Sequence, residues 1–263
     1  GHTEASVDLA RMDGLKPAGV ICEVLNEDGS MARRKDLLKI AKDFDLKYIT
    51  VAQLIKYRLQ TESLVTREVE ANLPTSFGTF RIIGYKSSLD GSEHVAIVKG
   101  IDKDNKRESD KIPVIRMHSE CLTGDIFHSL KCDCGNQLKA ALEYIHEYGC
   151  GAFVYLRMHE GRGIGLLNKI KAYELQECGQ DTIQANLTLG FPEDLRDYGV
   201  GAQIILDLGI KEFKLITNNP KKIVGLKGYD LKIVDRVSLP SPVNSHNCRY
   251  LETKRDKMHH MID

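Results

Sequence analysis

Three cysteines carry the clearest chemistry in this chain: Cys121, closing Arg116-Met-His-Ser-Glu-Cys121, and the pair in Cys132-Asp-Cys134-Gly135. Three thiolates bind Zn2+ and leave its fourth tetrahedral position open. That is the arrangement of a catalytic zinc, whose water ionises at a pKa of about 7. A structural zinc shows four protein ligands, usually in paired C-x2-C knuckles, and those are missing here. Two other readings stand beside this one: a closed site completed by His118, and three buried thiols that serve as small hydrophobes. His118 and Glu120 lie two residues apart, so on a strand they share a face. Either can act as acid or base, touch substrate, or make an ordinary polar contact.

Three more segments have suitable residue types. Glu160-Gly-Arg-Gly-Ile-Gly165 falls between a predicted strand and a predicted helix. Its small residues let backbone N–H groups at a helix start approach a phosphate, and Arg162 adds a forked anion contact. It is not a Walker A loop, because the Lys-Ser/Thr ending is absent; a plain Gly-rich turn fits the same string. Asp194-Leu-Arg196-Asp197-Tyr198 reads as a surface ion pair at a helix start or as a reactive pair. Thr217-Asn-Asn-Pro-Lys-Lys222 reads as a strand-to-helix turn whose hydroxyl and Lys222 reach a base or a phosphate, or as a turn with solvated lysines.

These residues need a scaffold, and the apolar pattern supplies one. Strands are predicted at Ala18–Glu23, Lys47–Thr50, within Thr75–Gly84 as an antiparallel pair, and at His94–Gly100, Lys111–Met117, Ala152–Arg157, Phe213–Thr217 and Leu231–Val237. Helices are predicted at Arg33–Phe44, Val51–Leu59, Asn136–Tyr148 with Gly149 as its cap, and Leu166–Glu177. Further helices are expected around Val200, Ile204 and Leu208, closed by Gly209, and at Cys248–Met258. Tyr173 shares the Leu166/Ile170 face, where it also reads as a core tyrosine. Gln60–Asn72 is polar and reads as a linker. The expected class is α/β (α+β): a mixed sheet flanked by helices after a short β-α segment, with units at 1–64 and 65–263.

The chain has 263 residues, 42% hydrophobic and 28% charged, with 37 basic and 37 acidic side chains. That is a globular composition, and zero net charge excludes a bulk positive field as a basis for nucleic-acid binding. No apolar run of about 18 residues predicts a membrane span. Seven cysteines, an odd number, and no basic-then-apolar leader argue for a reducing compartment rather than a disulfide scaffold. The opening GHTEAS reads as though cut from something longer.

The strings RMHSECLTGD, KCDCGNQL, YLRMHEGRGIGLLNKIKAYELQ, DTIQAN, DLRDYGVGAQIILDLG and TNNPKKIVGLKGY resemble GTP cyclohydrolase II of riboflavin biosynthesis, in order, from about Leu73 to His260. The stretch GHTEASVDLARMDGLKPAGVICEVLNEDGSMARRKDLL is similar to the C-terminal part of 3,4-dihydroxy-2-butanone 4-phosphate synthase. The two occur fused in this order in a bifunctional enzyme, and this chain resembles such a fusion missing its front. The resemblance implies zinc on Cys121, Cys132 and Cys134. It implies GTP contacts at Arg116, Met117, His118, Ser119, Glu120, Gln137, Glu160, Gly161, Arg162, Thr182, Thr217 and Lys222. It further implies Asp194 as proton acceptor, Arg196 as nucleophile toward the α-phosphate, and Tyr173 near the zinc water. Met158-His159 stands where many members have a single Gln, and Lys131, Asp230 and His259 replace a frequent Arg, Gly and Gly.

The expected reaction opens the imidazole ring of GTP and releases formate and pyrophosphate, with Mg2+ on the polyphosphate. Arg196 is an awkward nucleophile, because a guanidinium stays protonated; the alternative is that it stabilises charge while water attacks phosphorus. His2 and Glu23 match the synthase's metal-binding His and sugar-phosphate-binding Glu. The acidic loop with the other metal ligand lies outside this chain, so no synthase activity is expected. A nucleobase deaminase is a second reading, on His118-x-Glu120, but Cys132-Asp-Cys134 is wrongly spaced for it. A non-catalytic zinc-binding regulatory module is a third. The resemblance also implies a homodimer; the default location is the cytoplasm, or plastid stroma after loss of a transit peptide.

Overall fold

Capping chemistry shapes the first stretch of the computed structural model, which describes residues 1–226 and 229–261. Lys227 and Gly228, within the last resemblance string, lie outside the described residues. The chain divides into two compact units, Gly1–Glu62 and Ser63–Asp263. The first holds helices α1 (His2–Met12), α2 (Arg34–Asp43) and α3 (Val51–Thr61). Thr50 caps α3: its Oγ1 accepts from Gln53 N at 3.2 Å, and Gln53 Oε1 accepts from Thr50 N at 2.8 Å. Arg58 of α3 pairs with Asp8 of α1 at 2.5 Å.

Two expectations fail in this unit. Ala18–Glu23 and Lys47–Thr50 are not strands. A strand exists only through hydrogen bonds to a neighbour, and among the described residues of this unit the sole pairing is a bridge between Leu25 and Met31. Val20, central to the apolar run, is fully exposed. Helix α1 was not foreseen.

The second unit is built on seven strands among the described residues: β1 (Val65–Thr75), β2 (Gly78–Ser87), β3 (Glu93–Lys99), β4 (Val114–Ser119), β5 (Gly151–Leu156), β6 (Glu212–Ile216) and β7 (Lys232–Val237). They form one sheet in the order β1-β2-β3-β5-β4-β6-β7. The β1-β2-β3-β5 half is antiparallel, and β5-β4-β6-β7 is parallel. This is the expected mixed α/β class. The stretch expected as a linker, Gln60–Asn72, instead contributes most of β1. Its polarity reflects an edge strand: Glu70 pairs with Arg81 of β2 at 2.7 Å, and Arg67 pairs with Asp207 at 2.8 Å.

Helices α4 (Leu122–Asp125), α5 (Cys134–Tyr148), α6 (Leu166–Glu177), α7 (Thr182–Thr188), α8 (Gly199–Asp207), α9 (Pro220–Gly225) and α10 (Cys248–Asp256) complete the unit. Gly149 ends α5 in the left-handed region, at φ 82°. One core joins Phe80, Val114, Phe153 and Ile216 of the sheet to Ala141, Leu142 and Ile145 of α5. On the other face Gly201 of α8 sits so close to β4 that a Cβ there would lie 2.8 Å from Met117 Sδ. Strand alternation therefore turns Val114, Arg116 and His118 toward α5, and Met117 toward α8. The parallel strands β4, β5 and β6 end along one edge; the chain leaves β4 for β5 on one side of it and then crosses from β5 to β6 on the other side. Open α/β sheets bind their ligands at such a switch point.

Candidate active site

The three thiols converge at that edge. Cys121 follows β4, Cys132 ends the next loop, and Cys134 opens α5; their Sγ atoms all lie within 4.8 Å of one another. Tetrahedral zinc with bonds of about 2.3 Å separates its sulfurs by about 3.8 Å, and the Cys121–Cys132 separation is 3.8 Å. A Cβ on Gly124 would fall 2.9 Å from Cys132 Sγ and 3.1 Å from Cys121 Sγ, so glycine keeps the cradle open. The donor set suits zinc. Hydrogen bonds from the neighbouring thiols and Lys169 hold the Cys121 thiol far below its usual range, while the hydrogen bond to Cys121, with burial, pushes Cys132 up to about 12 and holds Cys134 well above the usual thiol range.

His118 does not close the set. Its Nε2 meets Asp125 Oδ1 at 3.0 Å, and its ring stacks on Phe153 and Tyr155. Burial keeps this imidazole below its ordinary pKa, so it is neutral. Asp125 also accepts from Cys121 N at 3.0 Å and from the Tyr155 hydroxyl at 2.9 Å. It thus ties Cys121, the first of the three thiols, to the sheet.

A cavity opens beside the thiols. Among the described residues it is lined by the cations Arg116, Lys131, Arg162, Lys169, Arg196, Lys222 and Lys254, and by only three carboxylates, Glu120, Asp133 and Glu160. The three acids are already engaged. Glu120 accepts from Met158 N, Asp133 is paired with Lys254 at 2.8 Å, and Glu160 is paired with Lys169 at 2.6 Å. Lys222 is buried with its Nζ on Met117 O at 2.6 Å. Burial, then Arg116 and Arg196, hold its pKa well below the lysine range. Such an excess of buried positive charge suits a polyanion.

Most residues singled out from the sequence meet here. Arg116 Nη2 donates to Gln137 Oε1 at 2.6 Å. Ser119 Oγ lies 3.2 Å from His159 Nδ1 and 3.4 Å from Arg196 Nη1. Glu160–Arg162 form a single 3-10 turn in which Gly161 and Arg162 take left-handed φ values of 60° and 67°. Thr182, the first residue of α7, and Thr217, just past β6, line the cavity. Two do not line it. Met117 is wholly buried against Gly201, because strand alternation turns it to the other face. Asp194 stands behind Arg196, with its Oδ1 2.8 Å from Nε and its Oδ2 2.7 Å from Nη2. Their loop is not helical, so residues two apart meet, which a helix forbids.

Tyr173 lines the cavity, and its hydroxyl lies 3.0 Å from Thr123 Oγ1. The core reading of its face is corrected: Ile170 is exposed, and the side chains α6 buries are Lys169 and Ala172. Lys169 was missed, although it shares a helical face with Tyr173 at i, i+4. Asp125 was missed, and so were Tyr250 and Lys254 of α10 and His260 beyond it. No local pattern marks them, since they arrive from separate elements. In the first unit His2 Nε2 and Glu23 Oε1 stand 3.9 Å apart, both exposed.

Three clustered thiols beside a cationic pocket, on the carboxyl edge of parallel strands, make an arrangement that suits a zinc-dependent enzyme acting on a polyanion. The family model for GTP cyclohydrolase II matches residues 66–238, and the chain belongs to that family. The model for 3,4-dihydroxy-2-butanone 4-phosphate synthase matches residues 1–57. The riboflavin biosynthesis protein RibBA of Bacillus cereus (strain AH187) is 58% identical over 263 residues, covering 100% of this chain and 65% of that protein. The RibBA of Bacillus mycoides (strain KBAB4) is 58% identical over 264 residues, with the same coverage. This chain therefore spans about two thirds (65%) of the length of these curated relatives. Among solved structures, RibBX, a two-domain 3,4-dihydroxy-2-butanone 4-phosphate synthase from A. baumannii, matches at a TM-score of 0.55 and 30% identity, covering 91% of this chain and 59% of that one.

Proposed function

We propose that this chain hydrolyses GTP at its imidazole ring, releasing formate and pyrophosphate and leaving 2,5-diamino-6-ribosylamino-4(3H)-pyrimidinone 5′-phosphate for riboflavin biosynthesis. The carrying observation is the meeting of three clustered thiols with seven cavity-lining cations on one edge of the sheet. Zinc on Cys121, Cys132 and Cys134 supplies Lewis acidity that makes water reactive at neutral pH.

The chain's own residues do the rest. Arg116, Arg162 and Lys222 neutralise the triphosphate, and Ser119, Glu120, Gln137, Thr182 and Thr217 shape the nucleotide pocket beside them. Tyr173, next to the thiols through Thr123, offers its hydroxyl to oxygen charge that develops at the attacked carbon. Arg196 grips the α-phosphate. Its carboxylate partner Asp194 keeps it protonated: burial opposes the charge, but the hydrogen bonds and charge of Asp194 outweigh burial and raise the pKa. This geometry supports Arg196 as a fixed cation with Asp194 as its anchor, rather than a nucleophile with its base. Mg2+ enters with the triphosphate, one zinc serves each chain, and the protein works as a homodimer in the cytoplasm.

The test is incubation of zinc-loaded protein with GTP and Mg2+, with formate, pyrophosphate and ammonia all measured. Equal formate and pyrophosphate support the proposal. Ammonia marks a deaminase, and no product marks a binding module; either result overturns it.

A further inference from the structure

Lys169 has three ammonium N–H donors, and all three are spent inside the protein. They reach Cys121 Sγ at 3.1 Å, Thr123 Oγ1 at 2.9 Å and Glu160 Oε1 at 2.6 Å. The side chain is 10% exposed. With its donors spent, it has none to offer a substrate. It acts through what it holds. Glu160 fixes the chain on the other side of the same cysteine, since its Oε2 accepts from Leu122 N at 2.6 Å. Thr123 Oγ1 in turn meets the Tyr173 hydroxyl at 3.0 Å. One buried ammonium therefore sits between a metal-binding sulfur and a carboxylate, and its hydroxyl partner leads to the tyrosine at the pocket.

We propose that Lys169 is a positioning residue for the metal centre: its ammonium hydrogen-bonds the Cys121 thiolate, draws charge off that sulfur and so sharpens the Lewis acidity of the bound divalent ion. This rests on the reading that Cys121, Cys132 and Cys134 hold such an ion. Three thiolates around a divalent cation carry a net charge of minus one, which weakens its pull on a water oxygen. A hydrogen bond from a cation reduces the electron density that one sulfur donates. Without Lys169 the thiolate would face Glu160 with no cation between them. Partners that orient and tune metal ligands typically change metal affinity or activity by about 10–100-fold.

The test uses the full chain with Co2+ in place of zinc, read by its sulfur-to-cobalt charge-transfer absorption, with steady-state kinetics on the zinc form. In Lys169→Met the band moves to longer wavelength, because the sulfur holds its electrons less tightly. The kcat falls by about 10–100-fold, and KM for GTP stays within about threefold, since no Lys169 donor reaches the nucleotide. Lys169→Arg keeps the charge, holds the band near the parent position and recovers most of kcat. If Lys169→Met does not fold, Lys169→Gln carries the same expectations. A parent that takes up no stoichiometric cobalt or zinc sinks the metal reading itself. A parent that binds the ion, with an unmoved band in the uncharged variant or an Arg variant that behaves like Met, overturns the role of Lys169 alone.

Discussion

Replacing Asp194 by Asn tests whether Arg196 is an anchored cation. The two side chains are 8% and 12% exposed and meet through two parallel hydrogen bonds, and Asp194 Oδ1 also accepts from Arg196 N at 3.1 Å. Removing the carboxylate leaves a buried guanidinium uncompensated, with Arg162 close enough to repel it. Breaking a buried pair in this way costs about 3–5 kcal/mol. Asn keeps one acceptor, so the lower end applies: about 3 kcal/mol, or roughly 6–12 °C in Tm for a unit of this size. The pH dependence has a definite sign. Burial pushes the Asp194 carboxyl up, but the hydrogen bonds and charge of Arg196 outweigh it and hold the carboxyl below its ordinary value. A depressed carboxyl contributes stability that is complete above its unfolded pKa of about 3.9 and lost as pH falls through the folded value. The Tm gap between parent and D194N should therefore be flat from about pH 6 to 8 and close only below about pH 4. Calorimetry across that range measures it, and rapid quench with labelled GTP looks for an arginine–phosphoguanosine adduct. A gap under about 2 °C, a gap that closes near neutrality, or an accumulating adduct would refute the anchored-cation argument.

Two other expectations follow from geometry. In Gly124→Ala the new methyl meets Cys132 Sγ at 2.9 Å. Metal analysis should find far less zinc than in the parent, with a loss of stability of about 1–3 kcal/mol from overpacking; full zinc occupancy counts against the cradle. Lys222 is buried among cations that depress its pKa, so it loses its proton below the ordinary lysine range as pH rises. GTP binding by calorimetry should weaken over that interval, and Lys222→Arg should flatten the trend; an unchanged slope in the Arg variant excludes Lys222 as the cause.

The parts of the fold that could be read early are those with a strong local period. Leu138, Ala141, Leu142 and Ile145 mark α5, and the apolar runs from Val114 and Gly151 mark the buried parallel strands. β1 was hidden because it carries Arg67, Glu68 and Glu70; Arg67 pairs with Asp207 and Glu70 with Arg81, both more than ten residues away. Ala18–Glu23 showed the opposite error. Its composition suits a strand, but a strand is a relation between segments, and no partner lies beside it among the described residues. Helices α7 and α9, of seven and six residues, are too short for their period to show.

The amino-acid order alone determined the donors: three thiols at C-x10-C-x-C spacing, a glycine turn with an arginine in it, and Asp194 beside Arg196. Resemblance then fixed the family. Tertiary structure decided which of these groups meet and in what state. Hydrogen bonds and ion pairs act over about 3–4 Å, whereas Cys121 and Lys169 are 48 residues apart and Asp133 and Lys254 are 121 apart. Only the common ending of β4, β5 and β6 on one edge brings them within range. Only burial there turns solvated side chains into a cationic wall, a neutral histidine and an ammonium with no donor to spare.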